Sequence, residues 1–185
     1  MKLNPTFSKT LALVAPVTIL TVSNSFGASD YFLKIDGIKG ESTVKGHEGT
    51  IQIESFSWGM SNSATVSGGG TGKVSVQDFH FTMKVDKASP KLMLACATGQ
   101  RIETLQFAIA APDQTGSGSG GPAYYVITLT NVLVSSYQSN GAATPAGAIP
   151  EPPTAAVSFN FQKIRWDYTA ANGEVVTVDH TAALP

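Results

Sequence analysis

The stretch KVSVQDFHFTMKVDKASPKLMLACATGQ, Lys73 to Gln100, decides the fold. Val74 and Val76 alternate with polar neighbours, and so do Phe79, Phe81, Met83 and Val85. A period of two predicts one long strand with one face on a core. The first pair is even-numbered and the second set odd, so the strand must change phase, which predicts a β-bulge near Gln77–Asp78. Ser89-Pro90 then predicts a helix, with Ser89 as N-cap and Pro90 where a missing N–H costs nothing. Leu92, Ala95, Cys96 and Gly99 fall on one small apolar stripe, and Gly99 suits the left-handed stop. Asp86, just ahead of the helix, is placed to cap it or to favour its positive end.

Outward from this stretch the chain reads as β-structure. Tyr31 to Ile35 is a first strand. Ile51 and Ile53 alternate, then Phe56, Trp58 and Met60 in the opposite phase, which predicts a second bulge near Glu54–Ser55. Ser61 to Gly72 is a Ser/Gly loop. Leu105, Phe107 and Ile109 make the next strand, and Pro112 to Pro122 a Gly/Ser loop. Tyr124 to Val134 reads as a strand apolar on both faces, with Tyr125, Ile127, Leu129 and Leu133 on one and Val126, Val132 and Val134 on the other. Ser139 to Pro153 reads as a long loop. Val157, Phe159 and Phe161 alternate, and Ile164, Trp166 and Tyr168 continue in shifted phase, so a third change is expected around Gln162–Lys163. Asn172-Gly173 is a hairpin turn, and Glu174 to Val178 the returning strand. About seven strands, repeated bulges and one short helix at about 89–99 predict a mainly β fold: a bent barrel or a tight two-sheet sandwich.

The 185 residues suffice for one compact domain, expected over 28–185. Hydrophobic residues, 42% of the chain, can fill a core. Charged residues are 14%, against about a quarter in ordinary domains, which suits a surface covered in use. The net charge of −1, with no basic run, disfavours a nucleic-acid binder. Residues 1–27 read as a signal peptide: Lys2 and Lys9, an apolar run from Leu11 to Val22, then Ser25 and Gly27 before a cut at Ala28. The apolar run is too short for a comfortable membrane span. Cleavage leaves ten basic and thirteen acidic residues, a net charge of −3.

Chemistry-bearing patterns are weak. GGGTGK, Gly68 to Lys73, ends like a phosphate loop, but Ser67 stands where the first glycine belongs, and Val74 follows the lysine. His47, His80 and His180 show no metal-ligand spacing with each other or with Cys96. His80 is out of phase with Phe79 and Phe81 and should face away from the core. Cys96, the one cysteine, is read as a small buried hydrophobe. The acids are scattered, with no pair marked for hydrolysis. The expectation is no catalytic residue, no cofactor and no metal.

Several segments resemble the Hcp family, the tube proteins of bacterial type VI secretion: VQDFHFT, DKASPKLM and ACATGQ in the opening stretch, Phe32 to Ser42, Ser57-Trp58-Gly59-Met60-Ser61, Ile127 to Tyr137, and Phe159-Asn160-Phe161. Their order runs through Tyr31 to Tyr168. The resemblance implies a non-enzymatic β-barrel that assembles into hexameric rings, stacks into a tube, carries effector proteins, and meets spike and sheath components. A ring requires two different surfaces of each subunit to meet. Trp58, Met60, Ser61, Gly68, Gly69, Gly70, Tyr125, Val132 and Val134 are the expected assembly residues, with the Ser61–Gly72 loop meeting the next ring. The family's tube assembles in the cytoplasm and is then secreted. A cleaved signal peptide instead implies an exported periplasmic or extracellular scaffold or binding protein outside the apparatus.

Overall fold

The computed structural model describes residues 29–63, 74–111, 120–141, 143 and 152–181. Its strands are β1 (Asp30–Ile35), β2 (Ile51–Ser57), β3 (Met60–Asn62), β4 (Val74–Val76), β5 (Phe79–Lys84), β6 (Arg101–Ala110), β7 (Ala123–Asn140), β8 (Thr154–Thr169) and β9 (Val175–Thr181), with one helix, α1 (Ser89–Thr98), between β5 and β6. Seven strands form an antiparallel sheet in the order β5-β2-β1-β6-β7-β8-β9. β5 also pairs with β8, which closes six strands into a barrel and leaves β9 as an extra strand. β8 is long enough to share one edge between two strands, Thr154 to Phe159 with β5 and Lys163 to Thr169 with β9, while β7 pairs along the other edge.

The core fills the barrel with Leu33, Ile51, Phe79, Met83, Leu105, Phe107, Leu129, Phe159 and Ile164, all 1% exposed or less. Phe79 and Phe107 lie 5.3 Å apart at a tilt, and Phe81 stacks on Phe159 at 4.9 Å. Such pairs add about 1 kcal/mol each to the area they bury. Phe32, on the opposite face of β1, is covered from outside by the His47 ring, stacked on it at 4.0 Å.

The phase changes bend the sheet, each in its own way. Between Ile53 and Ser55 the β2–β5 register shifts, as the expected bulge requires. At Gln77–Asp78 the expected single strand is instead broken in two. Val74 to Val76 pairs with Met60 to Asn62 in a small separate sheet, and Phe79 to Lys84 enters the barrel. Two strands in different sheets tolerate opposite phases without a bulge. At Gln162–Lys163 the face changes, since Phe161 and Ile164 are both buried, yet the β7–β8 pairing keeps step. The neighbours change phase at the same level: Ile102 and Leu105 on β6, Leu129 and Val132 on β7, are buried pairs three apart. Asn131 takes the strain with φ 54, a left-handed conformation that asparagine tolerates. Its side chain accepts from Arg101 at 2.9 Å and donates to Gln162 at 2.7 Å, tying the corner across three strands.

That corner corrects the reading of β7. Val132 and Val134 do not lie opposite Ile127 and Leu129; all four point into the core. β7 also runs to Asn140, past the expected start of the loop.

The helix packs against β7, with Leu92 and Ala95 in the core. Its N-terminus corrects a second expectation. Ala88 is the N-cap, without a side-chain cap bond, and Ser89 lies inside the helix. Asp86 does the capping work: its carboxylate accepts from Ala88 N–H at 2.8 Å, while Ser89 Oγ accepts from Asp86 N–H at 3.1 Å. Gly99 ends the helix with φ 65 and ψ 25, its N–H reaching the Ala95 carbonyl.

Candidate assembly surface

β9 is the exposed edge of the sheet, and both of its faces are open. Directly across from it on β8, Trp166 faces Val178 and Tyr168 faces Val176. This face continues the barrel interior, because Ile127 and Tyr125 on β7 lie across from the same Trp166 and Tyr168. Beyond the point where β5 leaves β8, this face is only partly covered, by Trp58 beside Trp166. Tyr168, Val176 and Val178 are 47%, 51% and 54% exposed, so core-like side chains run on into solvent. Trp58 flanks this face, its ring 5.5 Å from Trp166, and Tyr125 meets Tyr168 edge-on at 6.5 Å. Burial raises the Tyr125 phenol above its ordinary value. Among the described residues the buried indole N–H of Trp58 finds no acceptor.

The reverse face of the same hairpin is polar. Arg165 holds Asp167 through both carboxylate oxygens at 2.9–3.0 Å, and Thr177 donates to Asp167 at 2.6 Å. These bonds, Arg165's first, hold the Asp167 carboxyl below its ordinary value, and the same pairing raises the guanidinium. The β8–β9 hairpin is thus two-faced, charged on one side and aromatic with valine on the other. Turn bonds from Ala170 to Glu174 and from Gly173 to Ala170, with Gly173 at φ 85, close its tip.

Of the expected assembly residues, Trp58 and Tyr125 lie at the exposed apolar face and are half-buried. Met60 and Ser61 are exposed on β3, at the base of the small hairpin. Gly68, Gly69 and Gly70 lie outside the described residues, as does the whole GGGTGK segment. Val132 and Val134 are interior, so they reach a neighbour only by supporting the wall. Val176, Val178 and Tyr168 were missed. Their signal was the Val175–Val178 run after a hairpin turn.

The outward groups of β5 form a separate polar stripe. His80 is exposed, and its Nδ1 lies 2.6 Å from Ser158 Oγ, to which Ser136 donates at 2.8 Å. Asp78 is engaged elsewhere, accepting from Ser135 at 2.5 Å and Asn160 at 3.0 Å, so these residues do not line up as a carboxylate-imidazole-hydroxyl relay. Cys96 is half-buried on α1. Among the described residues no group of three or more His, Cys, Asp or Glu side chains could hold a metal ion, and no helix is long and apolar enough to cross a membrane.

The fold is a closed six-stranded barrel with one helix and one overhanging strand. Residues 32–168 match the family described as type VI secretion system effector, Hcp. The protein hcp1 of Pseudomonas aeruginosa is 38% identical over 144 residues, covering 76% of this chain and 83% of that protein. Among solved structures, Hcp1 from Salmonella typhimurium superimposes with a TM-score of 0.68 at 28% identity, covering 84% of this chain and 95% of the other. A type VI secretion system effector from Yersinia pestis gives 0.66 at 27% identity, covering 83% and 100%. The chain belongs to the Hcp family, the tube proteins of type VI secretion, and is a structural protein rather than an enzyme.

Proposed function

We propose that this chain forms hexameric rings that stack into a secretion tube, carries or helps deliver effector proteins, and meets spike and sheath components in doing so. The observation that supports ring formation is the overhanging β8–β9 hairpin. Its core-like face of Trp166, Tyr168, Val176 and Val178 and the free backbone edge of β9 both call for cover. A neighbouring subunit presenting a different surface supplies that cover in a head-to-tail ring. Trp58 and Tyr125 border the contact, and Met60, Ser61 and the Gly68–Gly70 segment face the next ring. The test replaces Val176 and Val178 by lysine, which keeps the outward positions but forbids apolar cover. The expected result is loss of the ring-sized species with the barrel still folded.

A second reading rests on the first 27 residues, whose Lys2 and Lys9, apolar run and small-residue close have the parts of a signal peptide ahead of a single domain at 28–185. On it the chain is an exported periplasmic or extracellular scaffold that keeps the ring. N-terminal sequencing of the native protein separates the two. A start at Ala28 in the periplasm of a cell lacking the sheath supports export, and secretion that stops when the sheath is deleted supports the tube.

A further inference from the structure

A cavity of about 820 Å³ opens between β1, the turn that follows it, the 48–50 segment and the start of α1. Lys34, Lys39, Lys87 and Lys91 line it. These are four of the twelve cationic residues in a chain whose net charge is −1, gathered from two separate segments, 34–39 and 87–91. Asp36 and Glu48 also line the cavity, but they leave two positive charges in excess. Glu48 is turned back on its own loop, accepting from Gly46 N–H at 3.0 Å. Among the described residues the ion pairs are Lys163–Asp179 and Arg165–Asp167, so the four ammonium groups are unpaired. Lys91 alone is tethered, donating to the Gly37 carbonyl at 3.2 Å. Ile35 and Ile38 lie beneath the lining, buried at 4% and 9% exposure as part of the core. A second cavity of about 520 Å³ has the opposite character, with Glu41, Glu54 and Asp86 facing a single Lys84.

We propose that the lysine-lined cavity is a docking site for an acidic peptide segment of a protein partner. Its carboxylates reach Lys34, Lys39, Lys87 and Lys91. A peptide suits the site better than a compact anion for two reasons. The ammonium groups are spread around a space far larger than one phosphate. They are point charges without the planar fork of arginine. The acidic cavity nearby repels a misplaced segment, which favours one seating.

The experiment measures binding of a fluorescent octaglutamate peptide to the full chain by anisotropy. The comparison is with the double variant Lys34→Glu/Lys87→Glu, whose side chains make no hydrogen bond among the described residues, and with Arg101→Glu, which does not line the cavity. Binding should weaken about tenfold or more in the double variant and on raising salt from about 50 to about 300 mM, and should survive in Arg101→Glu. An unchanged melting temperature in the double variant keeps the comparison one of binding. Peptide binding equal in all three proteins, or none at millimolar peptide, overturns the proposal. So does displacement by an equal concentration of pyrophosphate, which would make the cavity a compact-anion site. A fall in solution mass in the double variant without a change in peptide affinity assigns the cavity to a second copy of the chain and overturns it equally.

Discussion

Gly40 is the tightest backbone crossing among the described glycines that any substitution can probe. A Cβ placed there lies 2.3 Å from the Thr50 carbonyl oxygen, 2.5 Å from its carbon and 2.6 Å from Ile51 Cα, all main chain. Carbon atoms pack no closer than about 3.5 Å, so Gly40→Ala forces the two segments apart by roughly 1 Å. Three backbone bonds stitch this crossing: Gly40 N–H to Gly49 at 2.9 Å, Ser42 N–H to Thr50 at 3.0 Å, and Gly49 N–H to Ser42 at 2.8 Å. Each is worth about 1 kcal/mol net, and Ile51, buried at the start of β2, moves with them. The expected cost is about 2–4 kcal/mol, within the range of overpacked cores and a large share of a domain's stability. Urea unfolding followed by the fluorescence of Trp58 and Trp166 reads it as a midpoint lowered by about 1 M or more. Gly46 is the contrast, because its φ of 88 is strained for other residues but the space around it is open. There alanine costs about 1 kcal/mol and asparagine less. At Gly40 asparagine is no better than alanine. A Gly40→Ala protein within about 0.5 kcal/mol of the parent would refute the steric reasoning.

Gly99→Ala meets no neighbour but must hold φ 65, so calorimetry should show a loss of about 1 kcal/mol, and asparagine should recover part of it. Leu92→Ala empties a fully buried site between helix and barrel and should cost about 2–5 kcal/mol in the same assay. Burial lifts the Asp86 carboxyl above 3.8, opposed by the Ala88 N–H and reinforced by the charge of Glu41. The folded chain therefore binds that proton more tightly than the unfolded chain. Asp86 disfavours folding above its raised pKa, and the penalty fades as pH falls through that value towards 3.8. Asp86→Asn keeps an acceptor for Ala88 and should be the more stable protein at neutral pH, with the gain shrinking on acidification. Asp86→Ala loses the cap and should cost about 1 kcal/mol. Unfolding curves across the acid range check both signs.

Alternation along each strand was enough to place the strands and their inward faces, since inward residues recur every second position whatever the partner, but it left a barrel and a tight two-sheet sandwich both open until β5 is seen to pair with β8. The bulge at Glu54–Ser55 and the face change at Gln162–Lys163 were legible for the same reason. The break at Gln77–Asp78 was legible as a position and not as a mechanism: a phase change reads alike whether one strand bulges or two strands part company. Val132 and Val134 show the opposite limit. With apolar residues at both parities, the sequence around Asn131 fits a strand buried on both faces as well as one that switches face, and only the neighbouring switches on β6 and β8 decide it. Ser89-Pro90 carries the signature of a cap, but Asp86 lies three residues earlier and its carboxylate takes the role. The assembly face was the least legible part. Val176 and Val178 look like any buried strand until β5 is seen to pair with the other half of β8.

Solution mass is the most direct test of ring formation. The chain beginning at Ala28 should scatter light as six subunits, and Val176→Lys with Val178→Lys should reduce it to single chains that keep the parent's β-sheet circular dichroism. A parent that stays a single chain at high concentration, or a double variant that still runs as six, would contradict assembly through the β8–β9 overhang.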